Sequence, residues 1–291
     1  MIPWSDINPV IFHITDGLIV TWYAMSYAVG LLLGWWYAYK AVLKFPLGIN
    51  TTELESWVTY CMVGVVVGGR LGCVLFYDLG HFINHPAEII QTYKGGMSFY
   101  GGVIGVLCAS YLFCRNNNIC LLSILDIAAL VCPIGIFLGR IANFINAELY
   151  GRVTDMPWGV IFPTAEGARH PSQIYEALTE GLVTLLILYI YSYRNGKILH
   201  RGRTAGLWAM LYAFFRFTIE FFREVDILVM NIIPLGQVFS IIMMFVGIKL
   251  YRESFSQKVA EYHAAPGSFN RTTLSLKESL RHCFGSNTKR H

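Results

Sequence analysis

The sequence predicts an all-α polytopic integral membrane protein, and three observations carry that prediction. Hydrophobic residues make up 55% of the chain and charged ones only 14%, with a mean hydropathy of +0.50, whereas a soluble domain carries about 25% charged residues. The apolar residues gather into seven stretches, each close to the roughly 20 residues that cross a hydrocarbon core as a helix. Lys and Arg then concentrate in alternate connections, as loops on one side of a membrane require.

Taken in order, the stretches are residues 16–39, 56–77, 97–114, 119–139, 174–193, 204–223 and 234–251. The first carries Trp22 and Tyr23 near its start and Gly30-x-x-x-Gly34 further on, and Trp22 reads as an interfacial belt residue. The second holds Gly64-x-x-x-Gly68-Gly69 and ends at Arg70. Glycines at this spacing fit helices that pack through small residues. The third is entered through Gly95-Gly96-Met97-Ser98-Phe99-Tyr100-Gly101-Gly102, where paired glycines around polar residues imply a bend. Irregular backbone at membrane depth must be buried in protein or line a cavity. The fourth leads into Gly139-Arg-Ile-Ala-Asn-Phe-Ile-Asn-Ala-Glu-Leu-Tyr-Gly-Arg152. The fifth opens on Arg169-His-Pro-Ser-Gln-Ile-Tyr-Glu176, with Pro171 suited to a first helical turn. The sixth places Tyr212, Arg216, Glu220 and Arg223 within about 80° of one helix face at 100° per residue. The domain organisation expected is a transmembrane domain over residues 1–252 and a polar, basic tail over 253–291, flexible at the cytoplasmic surface.

Lys40 and Lys44 follow the first stretch, Arg115 the third, and Arg194, Lys197, Arg201 and Arg203 the fifth; the tail is basic as well. Those connections are expected in the cytoplasm, which puts the N-terminus outside and the C-terminus inside. Residues 1–15 lack a basic region and a small-residue cleavage site, so no removable signal peptide is expected.

The net charge of +4 gives no ground for nucleic-acid binding. The seven cysteines lack close CxxC spacing and the eight histidines are scattered, so no metal is expected and the cysteines read as small apolar filler.

Charge is what the apolar background makes conspicuous. An Arg at the centre of a membrane helix costs roughly 2.5 to 3.5 kcal/mol on insertion scales, so such residues pair internally or serve a substrate. Arg140, Asn143, Asn146, Glu148 and Arg152 sit at one end of the fourth stretch, and Arg216, Glu220 and Arg223 on the sixth. Internal pairing for helix packing accounts for part of this, with Glu220 holding two guanidiniums. The excess of Arg over Glu leaves positive charge for an anion, and Arg binds phosphate bidentately at any accessible pH. The expected site is a pocket for an anionic lipid headgroup toward the outer leaflet.

The segments GGMSF-x-GG (95–102), GRIANFINAELYGR (139–152), RHPSQIYE (169–176) and FFRFTIEFFRE (214–224) closely resemble the prolipoprotein diacylglyceryl transferases of the bacterial cytoplasmic (inner) membrane, and the resemblance runs from about residue 8 to 252. It implies an enzyme that moves the diacylglyceryl group of phosphatidylglycerol onto the lipobox cysteine thiol of a preprolipoprotein, forming a thioether and releasing glycerol phosphate, with no cofactor. It implies that Arg140 and Arg216 are the essential arginines, that Asn143, Asn146, Glu148 and Gly151 shape the first motif, and that Tyr212 and Glu220 stand beside Arg216. Tyr23, Arg70, His170 and Arg223 also fall on family positions. Nothing in the chain specifies an oligomeric state.

One departure changes the chemistry. The family's best-known members carry between GGMSF and GG a histidine proposed as base, and here that residue is Tyr100. A phenol with a pKa of about 10 is a poor base at neutral pH. A thiol of pKa about 8.5 is lowered beside Arg, so the incoming cysteine is expected to ionise in the field of Arg140 and Arg216. The catalytic set expected is Arg140, Arg216, Glu220, Tyr100 as a hydrogen-bonding group, and His170, which reads equally as a supporting contact. A different class, a transporter for a small anion or lipid with an arginine-lined path, would use the same arginines. The chain shows no internal repeat of the kind many transporters have.

Overall fold

The computed structural model describes residues 2–4, 7–15, 18–76, 79–91, 96–224, 228–229 and 233–255. Within these the protein is mostly helical. The helices are α1 (Trp22–Lys44), α2 (Thr51–Phe76), the short α3 (Leu79–Asn84), α4 (Phe99–Asn117), α5 (Leu121–Ile145), α6 (Ser172–Arg194, including π-helical turns at Ala177–Val183 and Tyr189–Arg194), α7 (Arg203–Ile219) and α8 (Leu235–Glu253). Each predicted apolar stretch has its helix. Four helical segments, Thr51–Leu75, Leu121–Ile145, Ser172–Arg194 and Leu235–Glu253, are long and apolar enough to cross a membrane by length and composition.

The first prediction is corrected at its start. Val10–Thr15 (β1) and Leu18–Thr21 (β2) pair antiparallel, so the helix begins at Trp22 and not near residue 16. The run Val-Ile-Phe-His-Ile-Thr is β-branched and aromatic, a composition that favours strands over helices. The Trp22 amide and indole N–H donate to Pro9 O (3.1 Å) and Asn8 O (3.1 Å), tying the helix start to the hairpin. The all-helical expectation is corrected again at a three-stranded patch where Ile2–Pro3 pairs parallel with Val160–Ile161, which pairs antiparallel with Ala168–Arg169. Leu228–Val229 and Ile233–Pro234 form a further pair.

The chain divides into two compact units. One comprises residues 42–124. Its α2 opens with a reciprocal cap: Glu53 N donates to Asn50 Oδ1 and Asn50 N to Glu53 Oε2, both at 2.8 Å. Helices α2 and α4 then meet backbone to backbone. A Cβ on Gly64 would stand 2.6 Å from Gly105 O, and one on Gly72 2.7 Å from Gly101 Cα. The GxxxG spacing read from the sequence is the condition for this approach. Ser98 caps α4, its Oγ accepting from Gly101 N at 3.2 Å, and the Trp57 indole donates to Ser110 Oγ at 2.9 Å. Arg70 is buried in this unit and spends its guanidinium on loop carbonyls: Ile89 O at 2.8 Å, Glu88 O at 2.5 Å and Gly96 O at 3.0 Å.

The other unit comprises residues 1–41 and 125–259. Asp126, buried on α5, accepts from Gly202 N (2.6 Å) and Ala205 N (2.8 Å) and so caps the start of α7 from a neighbouring helix. Arg203 holds the far end of α8 through Ser254 Oγ at 3.0 Å and the ring of Phe255 at 4.1 Å. Phe162, Val160 and Ala147 form a small core under the 146–151 turn, with Tyr150 stacked on Phe162. The result fixes the ends of α5 and α7 and the start of α6, which carry the charged residues.

Candidate active site

Helix α5 runs through Ile145 and therefore carries Arg140 and Asn143 on its last turns. The chain then turns sharply, with Ala147 and Leu149 at φ of 55° and 59°. Left-handed backbone at residues with a Cβ is uncommon and persists where the surroundings fix it. Here Glu148, between the two, is what the turn presents. Its Oε1 accepts from Asn143 Nδ2 (2.9 Å) and Asn146 Nδ2 (3.2 Å), and its carbonyl accepts from Gln173 Nε2 at 2.6 Å.

Gly151 closes the turn. Its N–H donates to His170 O (2.8 Å), Arg152 N donates to Phe222 O (2.9 Å), and His170 N returns to Arg152 O (3.0 Å). Three segments remote in sequence are thus zipped together. A Cβ at residue 151 would meet Phe222 O as well as His170 Cβ at 2.9 Å, so only glycine fits.

The centre of the assembly is Glu176, fully buried on the first turns of α6. Its Oε1 accepts from Arg216 Nη1 and Arg223 Nη1, each at 2.6 Å, and its Oε2 forms an ion pair with Arg140 Nε at 2.8 Å. Glu220 adds a second contact to Arg216 (Nη2 to Oε2, 3.0 Å) and stands 3.9 Å from Arg223 Nε. The Glu220 carboxylate lies against Gly236, where a Cβ would come within 2.6 Å of it. Arg140 also reaches Asn143 Oδ1 at 3.5 Å. The three arginines keep side-chain exposures of 21%, 17% and 12%, while the Glu176 side chain they share is fully buried. Beside them opens a cavity of about 430 Å³ lined by the 146–150 turn, Thr164, Arg223 and Glu224.

His170 stands at the edge of this region. Its Nδ1 is 3.1 Å from the Tyr175 hydroxyl, which accepts from the Trp158 indole at 2.8 Å, and its ring packs on Phe222. Burial pushes its pKa below the ordinary histidine value. Tyr212 stacks on Trp208 on α7. The Tyr23 hydroxyl is 3.0 Å from that of Tyr27, and Tyr27 lies within electrostatic reach of Arg140 and Glu148.

The structure therefore brings together Arg140, Asn143, Asn146, Glu148, Gly151, Arg216, Glu220 and Arg223, while Tyr23 is bonded to Tyr27 at the margin of their electrostatic field. Arg70 belongs to the other unit and engages its own loop. Tyr100 lies on the first turn of α4, and its side chain is outside the described residues. Glu176 closes the RHPSQIYE segment that opens the fifth stretch, while Glu180 and Tyr27 lie outside every motif. The signal for both acids was present as Glu176-Ala-Leu-Thr-Glu180, an i, i+4 acid pair inside an apolar segment.

Fold and site define an integral membrane protein that holds a cluster of arginines, part open, on buried carboxylates at the ends of apolar helices. The chain matches the prolipoprotein diacylglyceryl transferase family over residues 9–252 and belongs to it. It is 48% identical over 255 residues to the phosphatidylglycerol–prolipoprotein diacylglyceryl transferase of Rickettsia akari (strain Hartford), covering 86% of this chain and 98% of that protein. The enzymes of the same name from Rickettsia bellii (strain OSU 85-389) and Rickettsia canadensis (strain McKiel) are 48% identical over 251 residues and 47% over 255; these matches cover 85% and 86% of this chain, and 95% and 98% of the relatives.

Proposed function

We propose that this chain transfers the diacylglyceryl group of phosphatidylglycerol to the thiol of a lipobox cysteine in a prolipoprotein, at the arginine cluster around Glu176. The single observation that carries the siting is the convergence of Arg140, Arg216 and Arg223 on one buried carboxylate with part of each arginine side chain still exposed. A guanidinium has five N–H donors, and Glu176 and Glu220 occupy only some of them. The donors left over are fixed in direction before any ligand arrives, which is what electrostatic catalysis requires.

In the reaction, the cysteine sulfur attacks the glyceryl carbon attached to the phosphate oxygen. The new C–S bond replaces the C–O bond, whose electron pair leaves with glycerol phosphate. Arg140 and Arg216 hold the phosphate and stabilise that charge, while Glu176 and Glu220 orient the guanidiniums. The same positive field lowers the pKa of the incoming thiol, whose proton leaves with the phosphate product or to water. Asn143, Asn146 and Glu148 shape the pocket wall, Gly151 allows its closure, and Tyr212, Tyr23 and Arg223 extend the lipid site. His170, largely neutral at pH 7, accepts or relays a proton near the wall, and a hydrogen-bonding role for Tyr100 rests on its place in the GGMSF-x-GG motif of the family alone. Arg70 orders the loop that precedes Tyr100.

In this reading residues 1–252 form the transferase domain with seven spans in the bacterial cytoplasmic membrane, N-terminus outside, C-terminus inside, and the site toward the outer leaflet. Residues 253–291 form a cytoplasmic tail. The test is transfer of labelled diacylglyceryl from phosphatidylglycerol to a lipobox peptide by purified wild type, Arg140→Ala and Arg216→Ala, with folding checked for each. Thiol-dependent transfer that collapses in both variants is expected. Full activity in either folded variant would remove that arginine from the phosphate clamp, and full activity in Tyr100→Phe would remove only the Tyr100 role.

A further inference from the structure

The reading above leaves one buried acid without a task. Glu180 follows Glu176 by one helical turn and so faces the same side of α6. It is 0% exposed, and among the described residues neither of its carboxylate oxygens has a hydrogen-bond partner. Its charged neighbours are Glu176 on its own helix, Arg140 from α5, and Arg216 and Arg223 from α7 and the turn after it. Tyr212 on α7 also lies within its electrostatic reach, and Glu220 completes the group through Arg216. Buried polar side chains in native proteins are nearly always bonded, and one that is not calls for an explanation.

Charge accounting supplies it. Among the groups ion-paired around Glu176, three guanidiniums against Glu176 and Glu220 leave one positive charge, which matches the single negative charge of a phosphodiester; Glu148 stands outside this set, its carboxylate held by Asn143 and Asn146. An ionised Glu180 cancels that charge and leaves a neutral cluster with nothing to draw an anion in. Charges held in a low-dielectric interior interact strongly enough that one unit decides whether an anion enters. We infer that the lipid phosphate enters this site together with a proton, taken from solvent and carried by Glu180. Where the pH is high enough to ionise it, Glu180 is the countercharge of the empty site, and the phosphodiester replaces it. The inference rests on the arginine cluster being the phosphatidylglycerol site, and Glu180 acts in it as a positioning residue that never touches the lipid.

The test is calorimetric titration of the full-length protein in detergent with dioctanoyl-phosphatidylglycerol, in pairs of buffers with different protonation enthalpies, from neutral to mildly alkaline pH. Wild type is expected to take up about one proton per lipid bound on the alkaline side, where its affinity falls by about tenfold per pH unit. Glu180→Gln, permanently neutral, is expected to bind without uptake and to keep its affinity as the pH rises. A structural role alone would not move the proton count. Binding by wild type with no uptake at any pH overturns the inference while leaving the site intact, and it does so even if Glu180→Gln does not fold. Unchanged uptake in Glu180→Gln assigns the proton elsewhere and overturns it too. Failure of wild type to bind the lipid at any pH overturns the functional reading, and this inference with it.

Discussion

Glu176 Oε1 lies 2.6 Å from Nη1 of both Arg216 and Arg223, so one carboxylate oxygen carries two guanidiniums while its twin carries a third. The acid is sealed and the bases are partly open, an arrangement that fixes donors without hiding them.

Glu176→Gln is the sharpest probe of this hub. Removing one partner of a buried ion pair costs about 3–5 kcal/mol, and here three partners are released at once. The isosteric amide should keep the helix and lose at least about 100-fold in kcat/KM, the scale seen when one oriented donor is lost. Steady-state transfer by the variant, with thermal melting alongside, checks it. A folded Gln variant with wild-type kcat/KM would show that the hub does not orient the arginines.

Arg140→Lys and Arg216→Lys keep the charge and lose the planar fork. Because each arginine pairs with an acid and also stays partly exposed, an ammonium cannot serve acid and ligand together. Losses of about 10- to 100-fold are expected, falling mainly on kcat if the lost contacts belong to the transition state. Lysine variants with wild-type kinetics would mean that charge alone suffices.

Gly151→Ala should be as damaging as loss of a charged residue. The added methyl must displace Phe222 O and His170 together, which unzips the turn that presents Glu148. Leu149→Gly acts in the opposite sense, because glycine tolerates positive φ, and a gain of up to about 1 kcal/mol is expected there; in Ala147→Gly the same relief is offset by loss of a buried methyl from the Phe162 core, so a smaller change is expected. Unfolding midpoints of the three variants decide the point: a Gly151→Ala protein of wild-type stability and activity would contradict it.

The pH profile tests His170. Its pKa in the fold lies below the ordinary value of about 6.5, so it stays neutral as pH falls until below that value. An acid limb of kcat/KM that belongs to His170 must therefore lie below about 6.5 and vanish in His170→Gln. The same depression makes the native state lose stability as pH falls through the unfolded-state pKa, since the unfolded chain takes the proton first. An acid limb above that range, or one that persists in His170→Gln, would assign the titration to another group.

The membrane class and the positions of the helices were legible because hydropathy and length are properties of contiguous residues. The β-hairpin before Trp22 was hidden by the same measure: its residues are as apolar as the helix that follows, and only their β-branched character distinguishes them. In the site, Arg140, Arg216 and Glu220 stand out as charges on apolar stretches. Glu176 did not, since it closes a motif already rich in polar residues and its importance lies in three partners that sequence spacing cannot join. The assignment of Arg70 to loop carbonyls is likewise invisible in one dimension.

The hub has a consequence for how the protein is made. Arg140 is synthesised before Glu176, and Arg216 and Arg223 after it, so no segment leaves the ribosome with its countercharge complete. When the α5 end is made its Glu176 partner does not yet exist, and α6 then brings Glu176 and Glu180 while Arg140 alone of the three arginines is present. Only when α7 and the turn after it join does the group reach its final composition, which makes the packing of these three helices, and not the folding of any one, the step at which the charges find their partners.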